Sequence, residues 1–172
     1  MQHSDHKVFL HPGEFCFMED AAHVHTILGS CISITLWHPK LHIGGMCHFT
    51  LPKHPHKSRV KEGLDGRYAD DVMVMFKDAA KKFGTKLSEY DAKIFGGGNM
   101  MRSEGENLEG SIGSKNAAAA MQLLMEENVA IQVAHVGEFG HRRIVFDVNS
   151  GDVWVRHTEV SGVRLDSING KS

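Results

Sequence analysis

The chain has 172 residues, 41% of them hydrophobic and 23% charged, with a formal net charge of −2. Such a composition suits one soluble globular domain and leaves no electrostatic case for nucleic acid or an anionic membrane as partner. No apolar run approaches the roughly 20 residues that span a bilayer, and residues 1–14, MQHSDHKVFLHPGE, lack the apolar core of a signal peptide.

Residues 1–6 are polar. Residues 8–10 and 14–18 read as short strands separated by Pro12-Gly13, and 23–28 as a strand leading into the small-residue turn Gly29-Ser30-Cys31. Two alternating apolar runs, 32–37 and 43–51, then flank His38-Pro39-Lys40-Leu41, which predicts a β-hairpin. A turn centred between Pro39 and Lys40 pairs residues whose numbers sum to 79. That register buries Ile32, Ile34, Leu36, Ile43 and Cys47 on one face and sets Cys31 directly across from His48 on the other.

Residues 53–66 are polar, basic and broken by Pro55, Gly63 and Gly66, so they read as a loop, either a solvated excursion or a lid over a site near His48. Residues 68–83 form an amphipathic helix with Tyr68, Val72, Phe76, Ala79, Ala80 and Phe83 on one stripe, ended by Gly84. Asp70 and Asp71 lie in its first turn, where carboxylates favour the helix dipole. A polar link over 86–91 precedes a buried strand over 92–95. The strand runs into Gly96-Gly97-Gly98-Asn99, which fits no phosphate-binding fingerprint and predicts close backbone approach, beside Cys31. Residues 101–111 read as a polar loop. Ser114 is the expected cap of a helix over 115–128 with Ala117, Met121, Leu124 and Met125 as its stripe. A strand over 129–136 follows, then a hairpin of 142–148 and 153–157 around Asn149-Ser150-Gly151-Asp152. Arg142 and Arg143 read as a solvated basic pair at a strand start. Two helices and about eight strands, clustered at both ends, predict an α+β layered α/β sandwich with mostly antiparallel sheets; no linker or repeat divides residues 1–172.

Chemistry centres on Cys31 and His48. A thiolate attacks carbonyl carbon well, an imidazole beside it can take the thiol proton or hold the thiolate as an ion pair, and backbone N–H groups of residues 29–31 are placed to meet an oxyanion. The competing reading is a small buried hydrophobe, which is how Cys16 and Cys47 are assigned. Three cysteines make no disulfide framework, and an odd count without an export signal predicts a reducing cytoplasm. Thirteen histidines raise metal binding as an alternative, with His23/His25 and His54/His56 as i,i+2 pairs. No HExxH or CxxC accompanies them, so surface histidines are the preferred reading, with a zinc hydrolase as rival.

The set Gly29-Ser30-Cys31, Gly44-Gly45-Met46-Cys47-His48, Leu51-Pro52, Arg67-Tyr68-Ala69-Asp70, residues 93–100 (KIFGGGNM), Ile112-Gly113 with Asn116, and Gly140-His141-Arg142-Arg143 with Phe146, Gly151 and Val153 resembles the CheD family of chemoreceptor glutamine deamidases. The resemblance spans about residues 8–160. It implies hydrolysis of receptor glutamine side chains to glutamate with Cys31 and His48 as catalytic pair and no cofactor. It also implies the cytoplasmic helical bundle of a methyl-accepting chemoreceptor as substrate and a CheC phosphatase as partner. The family's third residue, a threonine six positions before the cysteine, falls here on His25; Thr26, one step along, is the candidate, with Thr50 as alternative. A non-catalytic binding module for receptors or the phosphatase is the second function these residues allow.

Overall fold

In a computed structural model of the chain, residues 6–55, 63–100 and 110–159 are described. Strands β1 (His6–Phe9), β3 (Ala22–Leu28), β8 (His141–Asp147) and β9 (Val153–Thr158) form a four-stranded sheet in that order. Strands β2 (Phe15–Met18), β5 (Gly44–Cys47), β4 (Ile32–Trp37), β6 (Asp91–Gly96) and β7 (Ala130–Val136) form a five-stranded sheet. Pairing is antiparallel except for β1 with β3 and β6 with β7. Helices α1 (Ala69–Lys82) and α2 (Ile112–Glu126) cover the outer face of the five-stranded sheet. The layers are helix, sheet, sheet, as the strand and helix pattern predicts.

Every residue of β4 but Trp37 is fully buried, because the strand is central and covered on both faces. Ile32, Ile34 and Leu36 pack with Val72, Phe76, Ala80 and Leu124 of the helices. The other face looks toward the four-stranded sheet, whose Val24, Leu28, Ile144 and Phe146 meet Met46 and Phe95 in a second core. Burial of Phe76, edge-on to Phe15 at 4.9 Å between ring centres, anchors α1; truncating such a ring to Ala costs about 3–5 kcal/mol.

The hairpin departs from its expected register. Thr35 pairs with Met46, Leu36 with Gly45 and Trp37 with Gly44, so partners sum to 81 rather than 79. The turn is longer because His38 holds it open: its Nδ1 accepts the backbone N–H groups of Lys40 and Leu41 at 3.2 and 3.1 Å. The Ile43 carbonyl takes the His38 N–H, and His42 closes the loop with φ 54°. A two-residue slip preserves the faces. It moves the partners, however, so that Ile32 bridges Phe49, and Cys31 and His48 sit diagonally across that bridge instead of directly opposite.

Four other expectations change. Helix α2 starts earlier, because Ser111, not Ser114, is the cap: its hydroxyl accepts the Ser114 N–H at 3.2 Å, the spacing a cap requires. Met125 is exposed rather than on the buried stripe, which is Gly113, Asn116, Ala117, Ala120 and Leu124. Arg142 is buried to 1%, since β8 alternates and Arg142 shares the inward face of Ile144 and Phe146. The polar link holds a 3₁₀ turn, Leu87–Glu89. Half of the expected lid, 56–62, and most of the 101–111 loop lie outside the described residues.

Candidate active site

Strand β3 alternates so that Ala22, Val24, Thr26 and Leu28 face inward and His23, His25 and Ile27 outward. Thr26 is therefore directed across the space between the sheets, toward the end of β5. There its Oγ1 lies 2.7 Å from Nδ1 of His48 and 2.7 Å from the Leu10 carbonyl oxygen. A carbonyl can only accept, and the hydroxyl has one proton. Thr26 thus donates to Leu10 and accepts from His48 Nδ1–H. That assignment leaves the lone pair of the neutral ring on Nε2. Of the three candidates for the third group, Thr26 alone hydrogen-bonds to His48 among the described residues. Thr50 Oγ1 donates to the Arg67 carbonyl at 3.2 Å, and His25 stands on the outer face of the sheet.

The turn bearing Cys31 is held by its carbonyls. Gly29 O accepts Gly98 N–H at 2.9 Å, Cys31 O accepts Gly97 N–H at 2.9 Å, and Ser30 O accepts Asn116 Nδ2 at 3.0 Å. A Cβ on Gly96 (φ 111°) would stand 2.1 Å from Cys31 O, so a side chain there would expel the turn. In a trans peptide a carbonyl and the following N–H point in opposite directions, and no peptide here is cis. With the Gly29 and Ser30 carbonyls drawn to Gly98 and Asn116, the Ser30 and Cys31 N–H groups face away from those anchors. Among the described residues neither has a backbone acceptor.

Asn116 ties this turn to the segment after His48, because its Nδ2 also donates to Thr50 O at 2.9 Å. Its amide is wholly buried, and Oδ1 has no partner among the described residues, so the side chain serves here through its N–H groups. Arg142 works one shell further out. Its guanidinium donates to Gly96 O, Gly137 O and His135 Nδ1 at 3.0, 2.8 and 2.8 Å, pinning the start of the glycine loop that holds Cys31. Neither role was read from the sequence. The signals were parity with Ile144 for Arg142 and i,i+4 spacing with Ala120 for Asn116.

Burial sets the charges. His48 is 2% exposed, and burial first, then the neighbouring His11, pushes its pKa down to about 4, against smaller opposing pulls from Glu14 and the Leu10 backbone. Cys31 is half-buried on the inter-sheet side, and burial raises its thiol above the ordinary value. Both shifts favour the uncharged forms, which suits a general-base pair rather than an ion pair. Cys47 is sealed in the helix-side core with a pKa pushed up to about 12, and Cys16, beside the inter-sheet core, is raised to about 11. Both fit the packing roles expected of them. Among the described residues no three His, Cys, Asp or Glu side chains gather in a way that could hold a metal ion. His23 instead lies 3.5 Å from Asp147, and His56 is outside the described residues.

A sandwich that suspends a thiol and a buried, threonine-oriented imidazole at one end of its inter-sheet layer has the parts of a cysteine hydrolase. The chain belongs to the CheD family: the family model described as CheD chemotactic sensory transduction matches residues 50–157. That match begins just after His48, but similarity to curated relatives covers the earlier part as well. The chain is 42% identical to a probable chemoreceptor glutamine deamidase CheD 3 of Dechloromonas aromatica, over 96% of this chain and 95% of the relative. It is 38% identical to a probable chemoreceptor glutamine deamidase CheD of Pseudomonas syringae pv. tomato, over 94% and 95%. It is 41% identical to a CheD 2 of the same description from Albidiferax ferrireducens, over 86% and 84%.

Proposed function

We propose that the chain is one cytoplasmic amidohydrolase domain that converts glutamine side chains of methyl-accepting chemoreceptors to glutamate. The observation that carries the reading is the 2.7 Å contact of Thr26 Oγ1 with His48 Nδ1, with the hydroxyl proton already given to Leu10. It leaves a basic nitrogen on the ring that shares a face with Cys31. Family membership supplies the substrate class, since the relatives are described as chemoreceptor glutamine deamidases. No helix among the described residues is long and apolar enough to cross a membrane.

In the reaction Cys31 Sγ attacks the side-chain amide carbon while its proton passes to His48 Nε2. The amide oxygen becomes an oxyanion, met by the Cys31 and Ser30 N–H groups. His48 returns the proton to the nitrogen, the C–N bond breaks, ammonia leaves and a thioester remains. Water then loses a proton to His48 and attacks the thioester. The tetrahedral centre expels the sulfur, which recovers its proton, and glutamate is released. Thr26 touches no reacting atom; it orients the base. The receptor's cytoplasmic helical bundle is the substrate surface, and a CheC-type phosphatase is a further partner.

The test is incubation with receptor cytoplasmic fragments followed by mass spectrometry for the gain of about 1 Da on Gln→Glu, with Cys31→Ala as control. A gain in the wild type that the variant abolishes is expected. No gain on several receptors leaves a binding module, and a gain that persists in Cys31→Ala removes the thiol from the mechanism.

A further inference from the structure

The outer face of the four-stranded sheet has an ordered pattern. Its middle rung runs Phe9, His25, Val145, Trp154 across β1, β3, β8 and β9. Phe9 is 43% and Trp154 54% exposed, and Ile27, 40% exposed, stands beside them. The next rung toward the Cys31 end is Ile27, Arg143, Arg156, with the two arginines directly opposite each other on β8 and β9. Both are exposed, and among the described residues neither forms a salt bridge. Like charges in direct cross-strand register destabilise a sheet. The chain as a whole carries net −2, so this rung runs against the general charge. His25 feels the field of the face: burial, then Lys7, His23 and Arg143, lower its pKa.

We propose that this face docks the protein substrate, taking an amphipathic helix whose apolar side lies along the Phe9–Trp154 rung and whose carboxylates meet Arg143 and Arg156. The assignment rests on the glutamine-deamidase reading for the identity of the substrate. Four strands at about 4.8 Å spacing give a rung of about 14 Å, the length of roughly three helical turns. The arginine rung lies at the end of the sheet where β3 passes into the nucleophile turn, so a helix seated there brings its neighbouring residues to Cys31. The arginines supply charge steering and register, and the exposed rings supply desolvated area.

The test uses a chemoreceptor cytoplasmic fragment as probe. Its Kd is measured first for Cys31→Ala protein, which needs no turnover, and then with Arg143→Glu, Arg143→Glu/Arg156→Glu or Trp154→Ala added. Kd is expected to rise about tenfold or more in the double charge variant, with the wild-type surface alone weakened by ~0.5 M NaCl. With Cys31 present, KM for the fragment rises likewise, while turnover of a blocked glutaminyl dipeptide stays within about twofold. Arg143→Glu by itself places Glu opposite Arg156, so its Tm is retained or raised while binding falls; a folding defect cannot produce that combination. An unchanged Kd overturns the proposal, as does parallel loss of dipeptide turnover. Tighter binding of a single-stranded RNA oligomer than of the fragment, or a dimer in light scattering that Arg143→Glu dissolves, overturns it in favour of another occupant. Fragment binding without deamidation by the wild type sinks the catalytic reading and leaves the docking face standing.

Discussion

Thr26 Oγ1 sits between an acceptor and a donor, giving its one proton to the Leu10 carbonyl oxygen at 2.7 Å and accepting Nδ1–H of His48 at 2.7 Å. Orientation of the imidazole therefore depends on a hydroxyl from the facing sheet. Thr26→Val keeps the shape and removes the hydroxyl. The expected result is a fall in kcat of about ten- to hundredfold with KM little changed, whereas Thr26→Ser stays within about threefold. Stopped ammonia-release assays on the two variants check it; equal loss in both would remove the hydroxyl as the cause.

The charge state of Cys31 is open to direct measurement. Burial raises its thiol and burial lowers His48, so no thiolate–imidazolium pair is held at neutral pH. The rate of iodoacetamide alkylation at Cys31 is expected to climb with pH through and beyond the ordinary thiol range, without the plateau that an ion pair gives near neutrality. A plateau between about pH 5 and 8 would show the pair to be charged at rest.

His48 also links stability to pH. Its folded pKa, about 4, lies below the unfolded value of 6.5, so the unfolded chain binds the extra proton in that window. The contribution is fully present above pH 6.5 and is lost as pH falls toward 4. A shift of that size corresponds to about 3 kcal/mol at most. Denaturant melts of wild type and His48→Gln between pH 4 and 7 test it: the variant's curve is expected to be flatter in this range.

Asn116 bridges Ser30 O, just before β4, and Thr50 O, just after β5. Asn116→Asp replaces two donors by a carboxylate facing two carbonyls. The expected cost is about 2–4 kcal/mol in stability, with kcat lost even where the variant is folded, because the Ser30–Cys31 peptide no longer has its carbonyl held and its N–H aimed. Asn116→Ala separates the effects: it leaves the carbonyls unmet without repulsion, and its kcat should fall more than its KM rises.

Much of this arrangement is legible in the residues alone, and the limits are physical. Alternation along β3 and β4 settles which side chains face the interior, and because the register shift is two residues, Cys31 and His48 stay on one face. The turn length itself depends on the His38 ring capping Lys40 and Leu41, a contact that no periodicity announces. Glycines 96–98 invite the reading of close approach, and Gly96 indeed lies against Cys31 O. Arg142 and Asn116 are polar residues on buried faces. Composition argues against burying them, and their partners are carbonyls of β6 and of three loop residues, Ser30, Thr50 and Gly137, with the His135 ring of β7, all brought together by tertiary packing.

Leu10, whose carbonyl takes the Thr26 proton, directly follows β1, a four-residue strand at the margin of its sheet that pairs with β3 alone. The chemistry is thereby coupled to a short edge ribbon of the sandwich. Peeling that ribbon away, by a nick near residue 10 or a bulky fusion ahead of it, would let the ring swivel and disarm the enzyme while the helix-side core stayed closed.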